Sequence, residues 1–144
     1  QNIQSIKDMN NKVLGAQAGS SGYLDFEGQP ELLKNRVKDQ KANQYQSFNE
    51  ALIDLKNDRI DALLIDRVYA NYYLQSEGIL NDYNVFSAGF ESEAFAVGVR
   101  PADKTLLDAL NQAFVALYKE GKFQEISQKW FGEDVATSQV KNQE

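Results

Sequence analysis

The sequence contains no cysteine and no histidine. Without cysteine there is no disulfide, no thiolate nucleophile and no zinc–thiolate site. Without histidine the chain loses the usual general base, the Ser-His-Asp arrangement and the commonest metal ligand. Carboxylates and lysines remain, so enzyme chemistry is narrowed rather than removed. Positive charge is also short: 15 Lys and Arg stand against 21 Asp and Glu, a formal net charge of −6. Nucleic-acid phosphates call for clustered Lys and Arg, so this balance argues against a nucleic-acid partner. No apolar run reaches the roughly 18 residues that a membrane helix needs. The opening QNIQSIKDMNNK is polar and does not read as a signal peptide. The expectation is a chain that is cytosolic or already cut from something longer.

What is present suffices for one compact domain. The chain has 144 residues, 42% hydrophobic and 25% charged, which fits a globular protein with a real core. The stretch that organises the reading is Lys12–Tyr23, KVLGAQAGSSGY. Val13 to Gln17 reads as a buried strand, Gly19 as the turn, and Ser20 and Ser21 as the opening of a helix. Backbone N–H groups at a helix start, with the positive end of the helix dipole, favour an anion. Ser20 suits the N-cap, and small side chains let a ligand approach the backbone. An ordinary connecting turn has the same composition, so the motif alone leaves both readings open.

Taken in order, Ser5-Ile6-Lys7-Asp8 matches a capping box with Asp in place of Glu and predicts a short helical turn. A helix follows over Ser20–Phe26, interrupted by Gly28. Pro30 suits the first position of a second helix through Leu32, Leu33, Arg36 and Val37. Asn43–Ser47 reads as a second strand, and Ser47-Phe48-Asn49-Glu50 as a full capping box for the next helix. Ile60–Ile65 is nearly all apolar, as in a central parallel strand covered on both faces. Asp66 then caps a helix over Val68–Gln75 that carries Tyr69, Tyr72 and Tyr73. Tyr83–Phe86 and Ala94–Val99 read as fourth and fifth strands. The alternation predicts a mostly parallel α/β sheet, whose ligands sit at the carboxyl ends of the strands. An anion cradle at Gly19-Ser20-Ser21 and a carboxylate at Asp66, on neighbouring strand ends, suit the two charges of one zwitterion. The plain alternative for Asp66 is a helix N-cap. After Arg100-Pro101, Leu106, Leu107, Leu110, Phe114 and Leu117 repeat with helical spacing. Gly121 ends that helix, and Phe123, Ile126, Trp130 and Phe131 mark another ending at Gly132. Residues 133–144 read as a polar, frayed tail.

Several segments in sequence resemble a known family. They are Lys7-Asp8, Lys12-Val13-Leu14-Gly15, Gln17-Ala18-Gly19-Ser20-Ser21, Glu50-Ala51-Leu52, Leu55-Lys56-Asn57, Arg59-Ile60-Asp61-Ala62, Ile65-Asp66, Phe95-Ala96-Val97-Gly98-Val99 and Lys129-Trp130-Phe131-Gly132. Together, from about Ile6 to Gly132, they resemble the polar amino-acid-binding proteins of ABC importers, extracellular solute-binding family 3. The resemblance implies one lobe of a type II periplasmic-binding-protein-like fold, with a mostly parallel five-stranded sheet. It places the second lobe at 1–93, a hinge strand at 94–100, C-terminal helices of the first lobe at 101–132 and a flexible tail at 133–144. Most of the first lobe is then absent, and the chain reads as a truncated form.

For the site, the resemblance implies that the Ser21 N–H and the Ser20 side chain, with Gly19 in the turn, hold a ligand α-carboxylate. Asp66 takes the α-ammonium, a charge-assisted hydrogen bond, and Gln17 touches the ligand side chain. The implied ligand is a free polar amino acid such as glutamine, glutamate or cystine, and the implied partners are ABC permease subunits. No cofactor, metal or catalytic residue is implied, and the protein is not read as an enzyme. The location is extracytoplasmic, in the periplasm or lipid-anchored as a lipoprotein at the cell surface. Removing one buried charge partner costs on the order of 2–5 kcal/mol, so a single lobe is expected to bind amino acids weakly or not at all. The apolar C-terminal helices are expected to fold back or to pair in a homodimer, including by exchange of segments across Arg100-Pro101. Rival readings on the same fold are a dehydratase-like enzyme using Asp61 and Asp66, a sensor ligand-binding module, and a domain fused to a permease.

Overall fold

The computed structural model describes residues 3–141. The hub is the strand β1 (Leu14–Gln17), whose first three residues are buried. It hydrogen-bonds in parallel with a strand on each side. β2 (Ala42–Tyr45) runs from Leu14↔Ala42 to Gln17↔Tyr45, and β3 (Ala62–Leu64) from Leu14↔Ala62 to Ala16↔Leu64. The strand order is β2-β1-β3. Three helices follow the strands: α1 (Ser21–Gly28) after β1, α2 (Phe48–Lys56) between β2 and β3, and α3 (Arg67–Ser76) after β3.

Strand alternation splits the contacts between two faces. Leu14, Ala42, Ala62 and Leu64 share one face, where Phe26 of α1 and Leu33, Val37, Ile3 and Met9 complete a core. Gln44 follows the same parity, and its amide donates to the Tyr23 hydroxyl of α1 at 3.0 Å. Gly15, Tyr45 and Leu63 share the other face, toward α2. There the Tyr45 hydroxyl donates to Asp54 at 2.9 Å, and Arg59 donates to the same carboxylate at 2.8 Å. Helices on opposite faces follow from the order: the chain crosses from β1 to β2, then back over β1 to β3, and right-handed crossovers in opposite directions lie on opposite faces.

Side chains fix the edges of this arrangement. Asp61 accepts the Val13 N–H at 2.7 Å, while the Val13 carbonyl accepts from Asp61 and Ala62. That exchange sets the β1–β3 register at its start. Ser5 and Asp8 form the expected capping box, with Asp8 accepting the N–H groups of Ser5 and Gln4. These bonds to its ionised form hold the Asp8 carboxyl below its ordinary range, the Gln4 bond most of all.

The chain divides into two units. The first comprises Gln1–Ala70 and Asn81–Glu91 and holds the sheet. The second comprises Asn71–Leu80 and Ser92–Glu144 and is helical. It contains α4 (Lys104–Lys119), α5 (Lys122–Phe131) and α6 (Ser138–Lys141). Gly121 (φ 78°) turns the chain between α4 and α5, and Gly132 (φ 72°) ends α5, both left-handed as glycine permits. Phe123 meets Phe114 and Tyr118 across the α4–α5 corner. The buried Ser127 hydroxyl donates to the Glu133 carbonyl at 2.6 Å and accepts the Val135 N–H at 2.9 Å. Lys141 pairs with Asp134 at 3.0 Å. Residues 142–144 of the expected tail, and residues 1 and 2 of the expected second lobe, lie outside the described residues.

The α/β class with a parallel sheet flanked by helices is found, but three sequence expectations are corrected. Among the described residues the sheet has three strands, not five. Residues 83–86 and 94–99 enter no ladder. Phe86 and Phe90 pack on the core instead, and Phe95 is 74% exposed. Alternation alone does not make a strand without a neighbour to pair with. The apolar run 60–65 is not central: β3 is an edge strand of the sheet, and β1 takes the middle. The helix expected after Pro30 is a series of turns, with Leu32, Asn35 and Arg36 donating to Gln29, Pro30 and Leu33. Leu33 and Val37 are buried as the periodicity requires, but the Arg36 carbonyl accepts from Asn11 rather than continuing a helix.

Two expectations follow. A Cβ on Gly15 would stand 2.5 Å from Ile60 Cδ1 and 3.1 Å from Tyr45 Cε2, and Ile60 is buried. Gly15→Ala should therefore cost about 1–3 kcal/mol in urea unfolding, the scale of overpacking; an unchanged midpoint would show that the Ile60 and Tyr45 side chains yield freely. Arg59 first and Tyr45 second hold the Asp54 carboxyl below its ordinary range. A carboxyl depressed in the folded state stabilises above its unfolded pKa and loses that contribution as pH falls through the folded one. Stability should thus fall more steeply on acidification in the parent than in Asp54→Asn, and parallel pH curves would exclude this linkage.

Candidate functional site

Three parallel strands send three helix starts to one edge. β1 and β2 end opposite each other at Gln17 and Tyr45, and β3 ends at Leu64 opposite Ala16. Adjacent strands are about 4.8 Å apart. The β1–α1 turn and the β3–α3 turn therefore stand side by side, and Gln17, Gly19, Ser20, Ser21 and Asp66 all come to the same edge.

Gly19 is left-handed (φ 70°), and nothing lies within 4 Å of where its Cβ would be. The glycine supplies conformation, not space. Ser20 is extended and caps α1: its hydroxyl accepts the Tyr23 N–H at 3.1 Å and donates to the Gln17 carbonyl at 2.9 Å. The hydroxyl proton is thus committed to the turn itself. Ser21 is the first residue of α1, with its amide at the positive end of the helix dipole.

Asp66 is half-buried. Its Oδ1 accepts the Tyr69 N–H at 2.8 Å, and its carbonyl accepts the Ala70 N–H. The N-cap reading is correct, yet it uses one carboxylate oxygen. Oδ2 takes no hydrogen bond from the described residues, so capping and cation binding are compatible. Gln17 donates from Nε2 to the Gln46 carbonyl at 3.2 Å, which ties the end of β1 to the start of α2.

Asp61 does not join this group. It sits at the opening end of β3, bonded to Val13, whereas Asp66 lies beyond the closing end. The two carboxylates expected of a dehydratase-like site are at opposite ends of one strand. Among the described residues no group of three or more His, Cys, Asp or Glu is arranged to hold a metal, and no helix is long and apolar enough to cross a membrane. The sequence places Tyr69, Tyr72 and Tyr73 on the helix after Asp66. In the fold Tyr69 leans on Phe48, at 5.1 Å between ring centroids, and its hydroxyl donates to Asn49 at 3.3 Å. Tyr72, in the helical unit, meets Trp130 at 6.3 Å. Periodicity carries no signal for which neighbouring helix each ring meets.

Capping sets the expected costs at this edge. Ser20→Ala should lose about 0.5–2 kcal/mol in denaturant unfolding, as other N-caps do. Asp66→Asn should cost less than Asp66→Ala, because Asn retains the capping oxygen. Equal costs for the two Asp66 variants would mean that Oδ1 does not support α3.

Comparison with known proteins gives the family. Bacterial extracellular solute-binding proteins, family 3, match over residues 11–133. ABC transporter arginine-binding protein 1 of Escherichia coli K12 is 30% identical over 132 residues, which cover 89% of this chain and 51% of that protein. The structure of a polar amino acid ABC uptake transporter substrate binding protein from Streptococcus thermophilus superposes with a TM-score of 0.80 at 61% identity. The match covers 96% of this chain and 53% of that one. An ABC uptake transporter substrate binding protein from Streptococcus pneumoniae, solved with bound histidine, superposes with a TM-score of 0.76 at 73% identity. It covers 94% of this chain and 55% of that one. The chain thus spans about half the length of these relatives. With nearly its whole length matched, the chain belongs to family 3 of the bacterial extracellular solute-binding proteins.

Proposed function

We propose that this chain carries one wall of the amino-acid site of an extracytoplasmic solute-binding protein serving an ABC importer. The observation that supports this reading is the adjacency, at one sheet edge, of the α1 start at Ser20–Ser21 and the Asp66 carboxylate. The first suits an α-carboxylate through backbone amides and the helix dipole. The second suits an α-ammonium at Oδ2, a charge-assisted bond worth more than a neutral one. Gln17 stands beside both and meets the ligand side chain. Histidine is the first ligand in this proposal, because the Streptococcus pneumoniae relative holds it. Arginine, cystine, glutamine and glutamate complete the class.

In the same reading, residues 94–100 are the hinge segment and residues 101–132 are C-terminal helices that pack on the first lobe. A ligand touching both lobes stabilises the closed state, which permease subunits recognise, a population shift by differential contact. No covalent step is involved. The protein works outside the cytoplasmic membrane.

The test is a titration of the ¹⁵N-labelled chain with L-histidine, followed by amide shifts. One wall should bind with a Kd on the order of 1 mM or weaker, moving the amides of Gly19–Tyr23 and Arg67–Tyr69. Histidinol, which lacks the carboxylate, should leave Gly19–Tyr23 unmoved, and Asp66→Asn should weaken histidine binding several-fold. Absence of these shifts, or identical shifts with histidinol, would sink the assignment. Submicromolar binding by calorimetry would overturn the single-wall reading.

A further inference from the structure

We infer that Tyr69 is a positioning residue: it fixes the Asp66 carboxylate at the ammonium end of the proposed site by bracing α3 against the start of α2. The inference rests on the amino-acid-binding reading for its functional consequence. Tyr69 lies in the first turn of α3, and its N–H is the hydrogen-bond donor that holds Asp66 Oδ1. Its side chain leaves α3 for the first turn of α2. The ring packs against Phe48, tilted by 40°, and the hydroxyl donates to Asn49 Oδ1.

That first turn is itself anchored. Ser47 accepts the Glu50 N–H at 3.3 Å, and the Glu50 carboxylate accepts the Gln46 N–H at 3.2 Å. The Gln46 carbonyl then accepts from Gln17. A continuous bracket therefore runs from Gln17 at the end of β1, through the α2 start, to Tyr69 and Asp66. Both ends of the bracket are residues proposed to face the ligand. An aromatic pair of this kind stabilises its contact beyond what the buried area alone supplies. Tyr69 is itself 37% exposed, and Asn49 is exposed, so neither is an indispensable core residue.

The experiment compares Tyr69→Ala and Tyr69→Phe with the parent 144-residue chain. In the free protein, side-chain couplings report the Asp66 χ1 rotamer. The parent and Tyr69→Phe should show one rotamer, and Tyr69→Ala an average of several. Titration then compares L-histidine with imidazolepropionate, which lacks the ammonium. Tyr69→Ala should weaken histidine about three- to tenfold, the scale of one hydrogen bond, and leave imidazolepropionate unchanged. Tyr69→Phe should stay within about twofold of the parent for both, because it keeps the ring. An unaltered Asp66 rotamer in Tyr69→Ala, or equal weakening of both ligands, overturns the inference. If Asp66 is freed but the parent binds neither ligand, the binding reading fails and the positioning of Asp66 stands. Should Tyr69→Ala not fold, Phe48→Ala and Asn49→Ala probe the same bracket from α2, with the same outcomes.

Discussion

β1 must pair its backbone on both sides while burying both of its faces, and the rest of the sheet unit follows from that demand. Leu14 needs an apolar cover, which α1 and the turns after it supply. Gly15 leaves just enough room on the other face for Ile60 and Tyr45. Parallel neighbours on each side require helical crossovers, and crossovers in opposite directions put helices on both faces. The consequence for function is geometric. Parallel strands with helical returns bring the starts of α1, α2 and α3 to one edge, the carboxyl ends of the strands.

The chemistry of that edge depends on how the fold shares its polar groups. Ser20 spends its hydroxyl on Gln17 and Tyr23, so an anion there is met chiefly by backbone amides and the helix dipole. Asp66 spends one oxygen on Tyr69 and keeps the other. In a chain with net charge −6, an anionic ligand group is repelled at long range, and only a local cluster of oriented N–H groups offsets this. A zwitterion, neutral overall, avoids most of that repulsion. Charge balance and site geometry both favour the zwitterionic ligand of the proposed function.

The helical unit has a different logic. Its interior is a corner of aromatic rings around Phe123, closed by Ser127 and the Asp134 pairs. Leu106, Leu107 and Ile126 remain exposed. In the proposed function these apolar positions belong to the packing of the first lobe, and residues 94–99 to a hinge. Their exposure accords with a chain that spans about half the length of its relatives.

Local signals were legible in the sequence because their causes are local. The caps at Ser20, Ser47 and Asp66, the glycine stops at 121 and 132, and the α4 and α5 stripes depend on residues within one turn. The succession of β1, α1, β2, α2, β3 and α3 and the order of the family motifs could be read for the same reason. So could the placing of Gly19–Ser21 and Asp66 at strand ends, which needed only the alternation of elements. What the tertiary structure alone decided was which segments pair. β1 rather than 60–65 became central, 83–86 and 94–99 joined no ladder, and the segment after Pro30 gave its Arg36 carbonyl to Asn11. Asp61, named only in the rival enzyme reading, bonds Val13 at the far end of β3, and Tyr69 of α3 meets Phe48 and Asn49 of α2. Each of these depends on a partner far away in the chain, and a hydrogen bond between distant segments leaves no periodic trace in either of them.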